Sequence, residues 1–187
     1  YDLLAVANPD DFSQTCAALD ERSAANDSSV TVTSTLPIMT DNVTFTFGGK
    51  SETVQLIVVP DDRTGDLGDY VRLEDESKEP LALRDGDVYL SKSSQLVLGI
   101  KPGDTAHVQD SSLNVAKVKV SDISLNYLGN TLYMTQSTYE RAFGRSVRLN
   151  GVFVLLKGSS SDQIAFSKKI KSDGWLTISS TAEHWQN

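Results

Sequence analysis

A chain of 187 residues is long enough for one domain with a sizeable core or for two small lobes. Its formal net charge of -8 at pH 7 argues against a nucleic-acid binder, because phosphate recognition needs a basic patch. The single cysteine, Cys16, excludes an internal disulfide and zinc sites built from several cysteines, and no apolar run is long enough to predict a membrane-spanning helix.

The N-terminal segment combines strand and helix signals. The apolar run YDLLAVA predicts a strand, NPDD predicts a helix start with Pro in the first turn, and SSVTVTST predicts a second strand. In the helix, Phe12, Cys16 and Leu19 form an i, i+4, i+7 stripe typical of packing on a sheet. We therefore interpret Cys16 as a buried, inert thiol. Since the chain starts without Met and directly in a strand, we expect a piece of a longer protein.

The C-terminal segment repeats this order. GVFVLLKG predicts a strand, SSSD a helix cap, QIAFSKKIKSDG a helix ended by Gly174, and WLTISST a further strand. Phe166 and Ile170 repeat the i, i+4 part of the apolar stripe. Two strand-helix-strand units across one sheet predict a split βαβ, ferredoxin-like arrangement.

The segment between the two ends is predicted to be almost entirely β. NVTFTFGG and SETVQLIVVP predict a hairpin with a glycine turn, YVRLED predicts a short strand, and strongly alternating strands follow. QSTYERAFG predicts a short helix with Ser137 and Glu140 as a capping box and Gly144 at its end. The predicted fold class is α+β, with an α/β lobe over residues 1–62 and 135–187 and an inserted β-rich lobe over 63–134.

Few residues suggest chemistry. His107 lies in a predicted strand and His184 in the C-terminal tail, and neither has a recognisable nucleophile motif beside it. The acidic stretch PDDRTGDLGD lacks the ligand spacing of an EF-hand and is interpreted as a solvated turn, although its sequence leaves metal binding undecided. GGK at 48–50 lacks the spacing of a phosphate-binding loop. We predict no catalytic residues, no cofactor and no metal site.

One stretch resembles a known family. DGDVYLSKSSQLVLGIKPGDTAHV (85–108), followed by NYLGNTLYMTQSTYERAFG (126–144), resembles the extracytoplasmic region of the FtsX-like permeases, the superfamily of the MacB-type ABC transporters. The matching residues are Val88 to Ser91, Leu98, Gly99, Lys101, Gly103 to Thr105, Tyr127 to Gly129, Tyr133, Met134, Tyr139 and Phe143. The turn glycines and Ser91, the predicted cap of the helix that Gly99 ends, also make structural sense without any reaction.

The resemblance implies a porter-like lobe formed by both chain ends and an inserted, sabre-like β-rich lobe. It implies a non-catalytic extracellular domain of an ABC transporter permease that couples ATP-driven motion of membrane helices to an external substrate or partner. ATP hydrolysis would lie in a separate cytoplasmic ABC ATPase, contacted indirectly. The implied partners are the transmembrane helices of the same permease, which would be dimeric, and an extracellular peptide, lipid or protein. The implied location is the extracellular side of the membrane in a Gram-positive type envelope.

Four residues are candidates for contact with such a partner: Tyr127, Leu128, Tyr133 and Tyr139. Each tyrosine has an apolar ring and a polar hydroxyl, so the sequence leaves core packing as the alternative. Two other functions also stay open. One is an extracytoplasmic ligand-binding, sensor or adhesin domain without ATP-driven movement. The other is an extracytoplasmic hydrolase that uses His107 or His184.

Overall fold

The computed structural model describes residues 1–25, 29–126 and 129–186, with the side chain of Gln186 left aside. It is a mixed α+β structure, which confirms the predicted fold class. The chain divides into two compact units. The terminal unit comprises Tyr1–Ile38 and Arg148–Asn187, and the inserted unit comprises Met39–Val147. Residues 39–62 and 135–147, which the sequence-based boundaries gave to the terminal lobe, thus lie in the inserted unit, because their strands pair there.

The described residues form ten strands and five α-helices. The strands are β1 (Leu3–Ala7), β2 (Thr31–Phe47), β3 (Lys50–Val59), β4 (Val88–Ser91), β5 (Thr105–Gln109), β6 (Val115–Lys119), β7 (Asp122–Ser124), β8 (Thr131–Thr135), β9 (Gly151–Lys157) and β10 (Trp175–Ser180). The helices are α1 (Phe12–Ala24), α2 (Lys92–Leu98), α3 (Gln136–Phe143), α4 (Ser160–Ile170) and α5 (Thr181–Gln186). Short 3₁₀ segments cover Pro9–Asp11, Asp61–Asp69 and Lys171–Asp173.

The terminal unit is a four-stranded antiparallel sheet in the order β10-β1-β9-β2. Numbered within the unit this is the order 4-1-3-2, with α1 after the first strand and α4 after the third, as the split βαβ arrangement requires. The structure confirms the predicted apolar stripes of α1 and α4. Their residues are buried in one cluster: Phe12, Leu19, Phe166 and Ile170. Gly174, at φ 106°, follows the turn after α4 and allows the chain to enter β10.

The inserted unit has the strand order β6-β5-β2-β3-β8-β4-β7. Gly48 and Gly49, both at positive φ, join β2 to β3 in the predicted hairpin turn. Parallel pairing of β3 with β8 and of β4 with β7 completes the sheet. Apolar side chains of these strands and of α2 and α3 form one buried cluster.

Two strand predictions need correction. SSVTVTST and NVTFTFGG were expected as separate strands, but one strand, β2, runs through both. Pro37 is tolerated there because residues 31–38 form an edge of the terminal sheet, where a missing N–H costs no ladder hydrogen bond. YVRLED (70–75) is not a strand. Of these six residues only Glu74 forms β-bridges, which are isolated ones to Pro80 and Leu125.

The caps of α2 and α3 are also different from those predicted. Ser91 is the N-cap residue of α2, but its Oγ accepts a hydrogen bond from the Thr131 backbone N–H (3.1 Å) in the neighbouring strand. For α3 the predicted capping box of Ser137 and Glu140 is wrong. Thr135 is the N-cap, and its Oγ1 accepts a hydrogen bond from the Thr138 N–H (3.2 Å). Gly99 and Gly144 end the two helices in the left-handed conformation, as predicted.

This assignment of the α3 cap predicts a difference between two alanine variants. Thr135 is buried and its hydroxyl also contacts that of Thr138 (2.9 Å), so Thr135→Ala should lower the free energy of unfolding by about 1–2 kcal/mol. Ser137→Ala is the matched control and should cost at most about 0.5 kcal/mol, because the Ser137 hydroxyl hydrogen-bonds the exposed Asp61 carboxylate. Urea denaturation of both variants measures the difference, and equal losses would contradict the assigned cap.

Candidate functional site

The two ends of the chain are joined to each other in the terminal unit. The backbone N–H of Thr181 donates to the carbonyl of Asp2 (3.0 Å), and its hydroxyl donates to the carbonyl of Tyr1 (2.7 Å). In the same place, Leu3 pairs with Ser180 at the end of β10. Asp2 is fixed further because its carboxylate accepts a hydrogen bond from the Leu156 N–H (2.7 Å). Residues 1–3 and 180–181, here called the chain-end junction, are therefore held as one piece.

The connections to the inserted unit leave the terminal unit together as well. Ile38, the last residue of its first segment, pairs with Gly151, and the Asn150 N–H donates to the Ile38 carbonyl (3.1 Å). Gly151 also pairs with Val6 of β1, whereas the chain-end junction is at Leu3. Three residues of an extended strand span about 10 Å. The insertion points and the chain-end junction thus lie at different ends of the same strands.

The chain-end junction is connected to every strand of the terminal sheet. Its residues lie in or beside β1 and β10, β1 pairs with β9, and β9 pairs with β2. In antiparallel strands the ladder hydrogen bonds run perpendicular to the strands and join alternate residue pairs. The junction is built from backbone groups, the Thr181 hydroxyl and the Asp2 carboxylate.

The chain-end junction was not predicted from the sequence, although the sequence contains a signal for the helix that begins beside it. SSTAEH contains Ser180 followed three residues later by Glu183, the spacing of a capping box. In the structure the Ser180 Oγ accepts a hydrogen bond from the Glu183 N–H (3.3 Å), and α5 begins there. His184, which the sequence places in the C-terminal tail, lies on this helix.

The four predicted partner residues are not brought together as a described surface. Tyr127 and Leu128 lie outside the described residues. Tyr133 and Tyr139 are only 5% and 4% exposed. Tyr139 stacks on Phe143 with ring centroids 4.8 Å apart, and its burial raises the pKa of its hydroxyl. Burial favours the packing role that the sequence left as an alternative, and partner binding by these residues stays a prediction.

The two histidines lie in different units. His107 is exposed on β5, opposite Lys117 and Thr46. His184 is exposed on α5 and its ring meets Trp185 edge-on, with centroids 5.2 Å apart. An open cavity of about 400 Å³ beside α5 is lined by Ile178, Ser179, Ser180, Glu183 and His184. Ser180 serves there as a helix cap, and a hydrolase function for this chain stays an untested hypothesis.

The acidic stretch has structural contacts. Asp61–Asp69 is a 3₁₀ segment in which the Asp66 carboxylate accepts a hydrogen bond from Arg63 Nε (2.6 Å). The Asp61 carboxylate accepts hydrogen bonds from the backbone N–H (3.0 Å) and the hydroxyl of Ser137. In the part of the chain that the structure describes, no three His, Cys, Asp or Glu side chains are grouped to hold a metal ion.

Cys16 is partly buried on α1, and this burial together with the nearby negative charge of Asp20 raises the pKa of its thiol to about 11. Because the thiolate is the nucleophile, alkylation by iodoacetamide at pH 8 should be slower than in the urea-unfolded chain by roughly one to two orders of magnitude. The rate should rise about tenfold per pH unit up to pH 10. Mass spectrometry of quenched samples measures it. Comparable rates for folded and unfolded chain would show that the thiol is not protected.

Within the described residues, no helix has the length and apolar character needed to cross a membrane. The sequence matches no protein-family model and no curated protein. Several solved structures resemble it in fold, including the following two. One is the periplasmic region of MacB from Actinobacillus actinomycetemcomitans, with 16% identity, a TM-score of 0.48 and coverage of 98% of this chain and 90% of that one. The other is the extracellular domain of the noncanonic ABC-type transporter YknZ from Gram-positive bacteria, with 12% identity, a TM-score of 0.47 and coverage of 90% and 89%.

The structural neighbours of this chain are thus periplasmic or extracellular domains of ABC transporter permeases.

Proposed function

We propose that this chain is the extracytoplasmic domain of an ABC transporter permease. Its two ends would continue into membrane helices of the same permease, and a separate cytoplasmic ABC ATPase would move those helices. The domain would carry that motion to an external peptide, lipid or protein. It would act without binding ATP and without catalysing a reaction.

The observation that carries the proposal is the chain-end junction. A domain placed between two membrane helices receives motion through both of its ends, and here both ends are joined by hydrogen bonds from Thr181 to Tyr1 and Asp2. The inserted unit is connected at the other end of the same strands, at Ile38 and Gly151. A displacement of the two chain ends would therefore act on the terminal unit as a single movement, and the inserted unit would receive that movement at Ile38 and Gly151.

The residues of the permease-like pattern support the same proposal. Val88 to Ser91 form β4 and Tyr133 and Met134 lie in β8, which pair side by side. Gly99 ends α2 in the left-handed conformation, and Gly103 at φ 97° forms the following turn. The residues of the permease-like pattern thus form paired strands, a helix end and a turn of the inserted unit.

The finer parts of the proposal follow from the family resemblance alone. They are a dimeric permease, a Gram-positive type envelope, and an external partner that contacts the inserted unit.

The parent gene tests the proposal. We expect hydrophobic spans directly before Tyr1 and after Asn187, and a neighbouring gene for an ABC ATPase. A parent protein without either span would overturn it. Spans without any ATPase partner would instead favour a membrane-anchored sensor or adhesin, which is the alternative left open by the sequence.

A further inference from the structure

Two turns of the inserted unit have the same hydrogen bonds. In Asp75–Glu79 and in Asp110–Asn114, the first and fifth residues are joined by N–H to carbonyl bonds of 2.9 Å. In each, the aspartate Oδ1 accepts bonds of 2.8–3.0 Å from the backbone N–H groups of the third and fifth residues. The fourth residue has a positive φ in both, 63° at Lys78 and 69° at Leu113. The turn at Asp75–Glu79 can therefore be compared directly with the turn at Asp110–Asn114.

Leu113 is unfavourable where it stands. The left-handed conformation suits Gly or Asn, and a bulky side chain there is strained. A buried leucine could offset that strain by packing, but Leu113 is 74% exposed. Neither the backbone nor the core of the inserted unit explains a leucine at this position, which points to a contact outside the domain.

The turn that carries Leu113 is held firmly. Ser111 donates to the Asp41 carboxylate through its N–H (3.0 Å) and its hydroxyl (2.9 Å). On the other side, Arg145 donates to the Asn114 side-chain oxygen (3.0 Å). With its own turn bonds, the segment is fixed to β2 and to Arg145, two residues after the end of α3, so Leu113 is presented in a defined position.

Behind Leu113, the outward face of β6 changes from apolar to basic. Val115 is 58% exposed, and Lys117 and Lys119 follow on the same face, whereas the alternate residues Ala116 and Val118 are buried. Successive outward residues of a strand are about 7 Å apart, so Lys117 and Lys119 lie about 7 and 14 Å from Val115 along β6. The paired strand contributes no carboxylate to this face: its outward residues are Thr105, His107 and Gln109.

We propose that Leu113 and Val115, here called the apolar tip, dock the inserted unit on an anionic lipid surface. The two aliphatic side chains enter the boundary between headgroups and acyl chains, a depth of about 5–10 Å. Lys117 and Lys119 then lie at the level of the lipid phosphates and contact them. The carboxylates of Asp110 in the turn and of Asp41 beside it already accept hydrogen bonds from the turn. The rest of the overall charge of -8 opposes lipid binding only weakly where it lies more than about 8 Å away, because it is screened at physiological ionic strength.

The size of the tip favours a lipid over a protein partner. A stable protein interface buries about 800 Å² on each partner, which two aliphatic side chains cannot supply. A lipid surface needs no shaped socket and accepts a small apolar insertion supported by lysines. This inference rests on the inserted unit alone, so it does not depend on the proposed function.

Vesicle sedimentation tests the proposal with the 187-residue chain. We expect binding to vesicles of phosphatidylglycerol and phosphatidylcholine that falls with added salt, and much weaker binding to phosphatidylcholine alone. Leu113→Gly should weaken binding at least fivefold while the thermal midpoint stays the same or rises, because glycine fits the left-handed conformation. Lys78→Gly is the matched control, with the same effect on the thermal midpoint and unchanged vesicle binding.

Spin-labelled lipid gives a residue-level readout by nuclear magnetic resonance. The amide signals of Leu113 and Val115 should broaden, and that of Lys78 should not. Failure of the unmodified chain to bind the anionic vesicles would overturn the proposal and point to a protein partner for the tip. Unchanged binding by the Leu113→Gly variant would overturn it as well.

Discussion

Replacing Phe153 with alanine is expected to lower the free energy of unfolding of the terminal unit by about 3–5 kcal/mol, the usual range for a buried phenylalanine. Phe153 is 1% exposed at the centre of β9, directly between Leu4 of β1 and Leu36 of β2. Its ring also packs on Tyr1, with centroids 5.0 Å apart. The variant removes the side chain that links the strand of the chain ends to the strand that leads into the inserted unit.

Urea denaturation followed by tryptophan fluorescence measures this effect. The chain has two tryptophans, of which Trp175 is buried in the terminal unit and Trp185 is exposed. A Trp185→Phe background therefore makes the signal report on the terminal unit. Leu176→Ala, at a position 68% exposed in the same sheet, is the control and should change stability by less than about 0.5 kcal/mol. Equal effects of the two variants would show that β9 does not form the centre of this unit.

The second large effect concerns the ion pair between Arg22 on α1 and Asp173 in the turn after α4. Both guanidinium-to-carboxylate bonds measure 2.8 Å, and the side chains are 31% and 13% exposed. A bidentate, partly buried pair of this kind contributes more than a surface pair. Arg22→Met is expected to lower the free energy of unfolding by about 1–2 kcal/mol at pH 7. Arg148 and Asp10 form a surface pair with side chains 62% and 77% exposed, and Asp10→Asn should cost less than about 0.5 kcal/mol.

The ion pair also sets a pH dependence. The hydrogen bonds from Arg22 hold the pKa of the Asp173 carboxyl below its ordinary value. A group with a lowered folded pKa contributes stability above its unfolded pKa of about 3.9 and loses that contribution as the pH falls through the folded value. The destabilisation caused by Asp173→Asn should therefore be full at pH 7 and shrink below about pH 4. A loss that stays constant from pH 7 to pH 2.5 would contradict the assigned pair.

Local sequence signals predicted the features that depend on neighbouring residues. The apolar stripes of α1 and α4 and the glycines that end helices and turns need only the local chain conformation, and the structure has them where the pattern predicts. The caps were predicted less well because the partner of a hydroxyl is set by tertiary contacts. Ser91 bonds Thr131, which is 40 residues away. Continuity of β2 through Pro37 likewise depends on its place at a sheet edge.

The functional features were harder to predict for the same reason. The chain-end junction joins Tyr1 and Asp2 to Thr181, and no local pattern relates residues so far apart. The strain at Leu113 is visible only once its φ is known, since leucine in a polar turn is otherwise unremarkable in sequence. Tyr133 and Tyr139 were predicted to contact a partner because tyrosine suits both a surface and a core. Only the folded chain shows how far each side chain is buried, which bears on the choice between the two roles.

In the proposed function, ATP-driven motion enters through the chain ends and moves the inserted unit. Electron paramagnetic resonance distances in the full-length transporter test this proposal. With Cys16 replaced by serine, a spin label at the exposed position of Ser51 in the inserted unit would report the distance between the two protomers of the proposed dimer. We expect this distance to differ between the nucleotide-free and the ATP-trapped transporter, while a Ser51 to Lys117 pair within one protomer keeps its distance. Identical distances between protomers in both nucleotide states would contradict it.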